Sequence, residues 1–225
     1  MFRTHFSERE VEWDTVEFDQ GEKIPNLEPY DALWVMGGPM DVWDDAKYPW
    51  LTDEKNAIRI WVKEIKRPYL GICLGHQLLA EALGGKCGLQ SPPEIGILEI
   101  ELTKYGIADP LFKDVRKKQF CLQWHSVQVE EVPENAVILA SSSVCKVQAM
   151  RVGSLAWSMQ YHVEVEQDTV ENWSKIPEYY SALKKYLGDE SLEILRQRAL
   201  ELMPDFNYNC KQIFENFYYT VKYNS

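Results

Sequence analysis

The residue with the clearest chemical potential is Cys73, which stands between two glycines in the run Gly71-Ile72-Cys73-Leu74-Gly75. A short apolar segment precedes it and a helix-like pattern follows. This G-x-nucleophile-x-G form is typical of a nucleophile elbow, a strand-to-helix turn too tight for flanking side chains. The dipole and free N–H groups at the start of a helix favour a thiolate. The pattern predicts a nucleophilic cysteine, with a buried structural cysteine as the alternative.

A nucleophilic cysteine needs a base, and the base needs a group that orients it. His162 is the favoured base because Glu164 follows two residues later, where the period of a strand would place both side chains on one face. His76 lies one helical turn beyond Cys73 and is expected to point away from the sulfur. His125 remains a competitor. The residues therefore predict a Cys73, His162 and Glu164 arrangement without excluding His125.

Two backbone N–H groups are candidates for binding an oxyanion. The N–H of Leu74 comes directly after the nucleophile, where the start of a helix leaves it free. A second donor is expected from the glycine-containing run Met36–Met40, which follows a predicted strand. The carboxyl ends of parallel strands are where open α/β sheets bind ligands. For the Met36–Met40 run, an ordinary turn is the alternative.

The elements that would position these groups alternate along the first half of the chain. The patterns predict a strand at 30–38, a helix at 50–67 ending before Pro68, a strand at 69–72 and a helix at 74–85. This order indicates parallel strands with helices on both faces.

The second half has a different pattern. Strands and hairpins are expected at 96–103, 119–132, 136–141, 144–152 and 155–165. The chain then becomes helical, with an apolar stripe at 189–203 and local boundaries at Gly188 and Pro204. We predict an open, mostly parallel α/β sheet flanked by helices, with a small antiparallel portion. Residues 1–168 would form the main domain, and residues 169–225 a helical extension packed on it.

Composition excludes several classes of protein. The 225 residues carry a formal net charge of −11, which argues against binding to nucleic acid phosphates. No apolar run is long enough for a membrane span, and the charged N-terminus does not fit a secretory signal. We therefore expect a cytoplasmic protein. Five scattered cysteines without a CxxC pair and four unclustered histidines predict no disulfide framework and no metal site. No motif implies a cofactor.

Together these segments resemble the class I (triad) glutamine amidotransferase family. The runs Gly37–Pro39, Leu70–Gly85, Trp124–Val127 and Gln160–Glu166 occur in that family's order and at its spacing. The resemblance extends from about residue 30 to residue 165 and is to stand-alone, GMP-synthase-like amidotransferase domains. It implies the flavodoxin-like fold of that family.

The resemblance also implies the role of individual residues. Cys73 would attack the side-chain amide of glutamine, with His162 as general base and acid and Glu164 as the third triad member. The N–H groups of Gly38 and Leu74 would form the oxyanion hole. The glutamine substrate would be bound by a further set of residues, Gln77, Trp124, His125, Ser126 and Val127. A thioester on the cysteine would release ammonia and then be hydrolysed to glutamate.

Two departures from the family pattern stand out. Val163 occupies the position of the proline in the family's His-Pro-Glu, although His162 and Glu164 keep their spacing. At the N-terminus, residues 2–10 are interpreted as the end of the first helix and residues 12–18 as a strand. A strand that normally opens this fold is therefore expected to be missing.

Three functions remain open. The favoured one is a glutaminase that passes ammonia to a synthetase partner. The second is a stand-alone hydrolase of γ-glutamyl peptides or conjugates, which would use the same triad. The third is a catalytically weak relative with a binding or regulatory role.

Overall fold

A mixed β-sheet organises the chain in the structure, a computed structural model that describes residues 11–224. Within that range there are seven strands: β1 (Leu33–Val35), β2 (Tyr69–Ile72), β3 (Lys86–Leu102), β4 (Lys118–Glu131), β5 (Ala136–Ser141), β6 (Ala149–Val152) and β7 (Ala156–Met159). Their order in the sheet is β1-β2-β7-β6-β5-β3-β4.

Helices surround this sheet. They are α1 (Trp50–Ile60), continued by a π-helical turn (Trp61–Ile65), α2 (Leu74–Ala82), α3 (Lys104–Ile107), α4 (Thr169–Ser174), α5 (Pro177–Leu187) and α6 (Ser191–Asn224). Short 3₁₀ turns occur at Phe18–Gln20, Asp44–Ala46 and Pro110–Phe112. Helix α1 and its π turn end before Pro68, as predicted, because a proline cannot continue the hydrogen-bond ladder.

The predicted fold class, an α/β sheet flanked by helices, is confirmed. Strand β2 pairs in parallel with both β1 and β7, and in register this places Gly71 between Val35 and Ser158. The remaining neighbours, β7-β6, β6-β5, β5-β3 and β3-β4, are antiparallel. The antiparallel portion is thus larger than expected, mainly because β3 begins at Lys86, ten residues before the predicted strand at 96–103, and pairs with β4 in one long hairpin.

The strand predicted at 12–18 is not present. Burial alternates from Val11 to Asp14 as it would in a half-buried strand, and the Trp13 ring lies 5.8 Å from that of Trp34. However, residues 11–17 join no ladder with any other described segment, and a 3₁₀ turn follows. Side-chain packing alone therefore produced the alternation. The helix end expected at 2–10 lies outside the described residues.

The boundary predicted at Pro204 is also wrong, since α6 runs through this proline and ends at Asn224. A proline in a helix interior costs about 3 kcal/mol through its lost N–H and steric conflict. Beyond Pro204 the helix places an apolar set in the core, namely Phe206, Cys210, Ile213, Phe214 and Phe217. Burying such side chains contributes about 1.5–3 kcal/mol each, which outweighs the cost of one proline.

Three apolar clusters fill the space between the layers. One lies between the sheet and the second half of α6. Another joins the sheet to α1 and α2 on the other side. The third packs β3 and β4 against α4, α5 and the first half of α6. The helices after residue 168 are therefore part of the same packed structure as the sheet, although the division between 1–168 and 169–225 remains a prediction.

Truncating Phe217 to alanine tests the docking of α6. This ring is 2% exposed and lies 5.4 Å from the ring of Trp34, so Phe217→Ala is expected to lower the free energy of unfolding by about 3–5 kcal/mol. Urea unfolding would measure this loss. The control, Tyr223→Ala, removes a ring that is 78% exposed and should change stability by less than about 0.5 kcal/mol. Equally small losses in both variants would contradict docking of this helix.

Candidate active site

The turn at Cys73 has the geometry predicted for a nucleophile elbow. Cys73 follows β2 directly and precedes α2, with φ 53° and ψ −103°. A positive φ is uncommon for a residue with a side chain, and such strain is concentrated at functional sites. The Cys73 N–H donates to the carbonyl of Met159 on β7 at 2.9 Å, which fixes the turn against the neighbouring strand.

Both flanking glycines are required by close backbone contacts. A Cβ on Gly71 would lie 2.6 Å from the carbonyl oxygen of Gly75, and a Cβ on Gly75 would collide with the carbonyl oxygen of Val35. The Tyr69 hydroxyl donates to the Gly75 carbonyl at 2.8 Å and further restrains the turn. No other residue type fits at these two positions without displacing the backbone of β1 or the elbow itself.

His162 and Glu164 form a close pair beside this turn. The Nδ1–H of His162 donates to Oε1 of Glu164 at 2.6 Å, and both side chains are buried. His162 lies beyond the end of β7, so it was wrongly expected within a regular strand. Instead its N–H donates to the carbonyl of Leu122 at 2.9 Å in a single bridge to β4.

Val163 contributes through its backbone. Its N–H donates to Oε2 of Glu164 at 2.9 Å, so the two carboxylate oxygens are held by different donors. A proline at this position would have no N–H to donate. Replacing the family's proline with valine therefore adds an anchor for Glu164.

The charge state of His162 follows from its neighbours. Burial by itself would lower the pKa of this imidazole, but the charge of Glu164, the charge of the Cys73 thiolate and hydrogen bonds with both raise it to about 10. At neutral pH the ring is therefore an imidazolium next to the sulfur. This arrangement can hold a thiolate and supply a proton to a leaving group.

The glycine-containing run Met36–Met40 packs against Cys73, Leu74 and His162. A Cβ on Gly37 would be 3.2 Å from Cβ of Cys73 and 3.3 Å from Cε1 of His162. A Cβ on Gly38 would be 3.2 Å from Cδ2 of Leu74. The loop after β1 thus contacts the sulfur-bearing turn, where the sequence placed Gly38 and Leu74 as oxyanion donors. Their role stays a prediction.

Aromatic residues from the C-terminal helices form a wall beside His162. The Trp173 ring, on α4, meets the imidazole edge to face with centroids 4.4 Å apart. Tyr179, on α5, packs on Trp173 and on Trp124 of β4, and the Trp124 indole N–H donates to the Tyr179 carbonyl at 3.2 Å. Trp173 and Tyr179 were missed by the sequence analysis because no local pattern links them to the triad motifs.

Gln160 is a further residue at the site that the sequence analysis missed. Its Nε2 lies 3.7 Å from the Cys73 sulfur, and its side chain is fully buried. Its Oε1 accepts from Nε2 of Gln77 at 3.2 Å. Gln160 precedes His162 by the same two residues that separate His162 from Glu164, so the spacing argument could have drawn attention to it.

The segment Trp124–Val127 lies within β4, opposite a stretch of β3 where the register shifts between Leu89 and Glu94. Ser126 is exposed, whereas Trp124 and Val127 are buried. The Val127 carbonyl accepts from Gln77 at 3.4 Å. The structure thus brings Gln77 and Val127 together near the sulfur, and their binding of substrate remains a prediction.

The two ring nitrogens of His125 both face protein acceptors. Nδ1 lies 2.9 Å from the Val127 carbonyl, and Nε2 lies 3.2 Å from Oε2 of Glu94 and 3.1 Å from Oε1 of Gln123. Acceptors therefore lie within hydrogen-bond reach of both ring nitrogens, and the contact between His125 and Glu94 is buried on both sides. Glu94 also accepts from Ser142.

His76 and the other cysteines have structural surroundings. The His76 ring lies between the Ser158 hydroxyl and the Val147 carbonyl, and burial followed by the charge of His125 lowers its pKa to about 3. Burial also raises the pKa of the remaining thiols, Cys87, Cys121, Cys145 and Cys210. In the part of the chain described, no three His, Cys, Asp or Glu side chains are placed to hold a metal ion.

With this geometry established, comparison with known proteins defines the class. The sequence model described as "Glutamine amidotransferase class-I" matches residues 1–172. The chain belongs to the class I glutamine amidotransferase family. None of the helices between residues 11 and 224 is long and apolar enough to cross a membrane.

The chain is also similar to individual members of this family. The chain is 32% identical to one subunit of the glutamine-hydrolyzing GMP synthase of Pyrococcus abyssi, over 73% of this chain and 90% of the relative. It is 29% identical to gamma-glutamyl peptidase 3 of Arabidopsis thaliana, over 75% of this chain and 69% of the relative. The crystal structure of a glutamine amidotransferase from Thermotoga maritima superposes with a TM-score of 0.84 at 27% identity, covering 96% and 91% of the two chains.

Selective labelling tests the special environment of Cys73. Near neutral pH, iodoacetamide should modify Cys73 rapidly, because its sulfur lies beside an imidazolium, and should leave the four other thiols unmodified because burial keeps them protonated. Peptide mass spectrometry would locate the label. Modification spread over several cysteines, or absent from Cys73, would contradict this assignment.

Proposed function

We propose that this protein hydrolyses the γ-amide of glutamine through a Cys73, His162 and Glu164 triad. The observation that carries the proposal is the 2.6 Å contact between His162 and Glu164 next to a cysteine on a strained strand-to-helix turn. The family membership supports the same chemistry.

The first half of the reaction forms a thioester. The Cys73 thiolate attacks the side-chain carbonyl carbon of glutamine, and the developing oxyanion is bound by the N–H groups of Gly38 and Leu74. When the tetrahedral intermediate collapses, the C–N bond breaks and the His162 imidazolium gives its proton to the departing ammonia. Gln77 and the residues of β4 from Trp124 to Val127 hold the rest of the substrate.

The second half regenerates the enzyme. His162, now neutral, takes a proton from a water molecule that attacks the thioester carbonyl. The C–S bond then breaks, glutamate leaves, and the cysteine returns to the thiolate paired with the imidazolium. Glu164 keeps the ring oriented in both halves and stabilises its charge.

A synthetase partner that accepts the ammonia is part of the proposal. The relative from P. abyssi is named as one subunit of a glutamine-hydrolyzing synthase, and this supports a separate acceptor protein for the present chain. We further assign residues 169–225 to the same working unit as residues 1–168, since Trp173 packs on His162.

A γ-glutamyl peptide hydrolase is the second candidate. The similarity to a plant gamma-glutamyl peptidase favours it. The acyl-enzyme would be identical and only the leaving group would differ, so the triad geometry is compatible with both. The presence of Cys73, His162 and Glu164 at one site counts against a catalytically weak regulatory relative.

Glutamate release from glutamine and from a panel of γ-glutamyl dipeptides tests the proposed reaction. Glutamine should be turned over, and Cys73→Ala should abolish turnover because, between residues 11 and 224, no other thiol lies beside the imidazolium. Preference for the dipeptides would select the second candidate. Equal rates for wild type and Cys73→Ala on every substrate, despite rapid alkylation of Cys73, would overturn hydrolysis by this chain alone.

The pH profile tests the role of Glu164. Wild-type turnover should decline as pH rises through about 10, where His162 loses the proton that it gives to ammonia. Glu164→Gln removes a charge that raises the pKa of His162, so the alkaline limb should move down by about 1–3 pH units. Glu171→Gln, which changes an exposed carboxylate on α4, is the matched control. An unmoved limb in Glu164→Gln would exclude this role.

A further inference from the structure

The side chain of Gln160 ends at the sulfur of Cys73, a contact that the triad does not explain. Its Nε2 is 3.7 Å from Sγ, within hydrogen-bond reach for sulfur, and the side chain is completely buried. The Gln160 N–H donates at 2.8 Å to the carbonyl of Gln148, the residue just before β6, which anchors the backbone. The residue therefore has little freedom to move away from the sulfur.

The direction of the Gln160 amide is determined by its other neighbour. A buried carboxamide could present either its oxygen or its nitrogen to the sulfur, and only the nitrogen can donate to a thiolate. Gln77 Nε2 lies 3.2 Å from Oε1 of Gln160. If the Gln160 amide were reversed, two NH₂ groups would face each other. Gln77 thus turns the NH₂ of Gln160 towards Cys73.

The direction of the Gln77 amide is determined in the same way. Its Nε2 also lies 3.4 Å from the Val127 carbonyl, which can only accept. A reversed Gln77 would place its oxygen against that carbonyl. The same carbonyl accepts from Nδ1 of His125 at 2.9 Å, and His125 is paired with Glu94. The buried His125–Glu94 pair therefore holds the acceptor that orients Gln77.

We propose that Gln160 is a catalytic residue that stabilises the Cys73 thiolate through an N–H to sulfur hydrogen bond, and that Gln77 is the positioning residue that orients its amide. The inference rests on the proposed function because it takes Cys73 as the nucleophile. It assigns Gln77 a role at the sulfur in addition to the predicted contact with substrate. Three successive hydrogen bonds thus connect the Val127 carbonyl to the sulfur: Gln77 donates to that carbonyl and to Gln160, and Gln160 donates to Cys73.

The pH dependence of Cys73 alkylation tests this proposal without requiring turnover of any substrate. Gln160→Leu keeps the approximate size but removes the donor, so the pH at half-maximal alkylation by iodoacetamide should rise by about one to two units, because the thiolate loses a hydrogen bond to its charge. Gln119→Leu is the control, because Gln119 is a buried glutamine of β4 that donates to Arg116 and not to the sulfur. Its alkylation midpoint should equal that of the wild type.

A double-mutant cycle tests the orienting role of Gln77. Gln77→Leu leaves Gln160 present but no longer directs its amide, so the alkylation midpoint should rise by less than in Gln160→Leu. The double variant should have the same midpoint as Gln160→Leu alone, because Gln77 acts on the sulfur only through Gln160. Additive shifts would overturn the positioning role.

Two outcomes distinguish failure of the proposed function from failure of this inference. A wild-type midpoint at the value of a free cysteine, about 8.5, would contradict the nucleophile assigned under the proposed function. A low wild-type midpoint that Gln160→Leu does not change would overturn only the present inference. Thermal unfolding checks that each variant is folded. If Gln160→Leu does not fold, Gln160→Glu places acceptor oxygens at the sulfur and should raise the midpoint further, and an unchanged midpoint there would equally overturn the proposal.

Discussion

The backbone contact between Gly75 and the carbonyl of Val35 is the constraint on which the site depends. Gly75 has no side chain, so the first turn of α2 can lie directly against the backbone of β1. The helix therefore begins immediately after Cys73. The sulfur therefore lies at the carboxyl edge of three parallel strands. The glycine-containing loop comes from β1 on one side, and His162 comes from beyond β7 on the other. A bulkier residue at position 75 would separate these contributions even if every reactive side chain were kept.

Features encoded within a few residues could be predicted from the sequence. The elbow around Cys73 depends on glycines two residues away, and the spacing of His162 and Glu164 survives although the expected strand there ends at Met159. The register of β3 with β4, the course of α6 through Pro204 and the packing of Trp173 on His162 depend on distant segments. Tertiary burial decides these features, and local patterns carry no information about it. Gln160 was within reach of the same spacing argument but was not recognised.

Val163 illustrates how a departure from a family motif can preserve its geometry. A proline would stiffen the chain between His162 and Glu164 by fixing φ, whereas valine offers a hydrogen bond to Oε2 of the carboxylate. Both solutions restrain Glu164 relative to the imidazole. The other buried histidines have partners of their own, since His125 contacts Glu94, and burial lowers the pKa of His76 to about 3.

The packing of Trp173 on His162 also bears on modularity. The family sequence model stops at residue 172, one position before this tryptophan. The side chains of Cys73, His162 and Glu164 fall inside that match, yet the indole that borders the imidazole does not. The residues that the family sequence model matches therefore do not include the whole site, although the T. maritima amidotransferase superposes on 96% of this chain. Grafting residues 1–172 onto another scaffold would transfer Cys73, His162 and Glu164 without the indole that packs against the imidazole. The boundary of the sequence match is therefore not the boundary of a self-sufficient site.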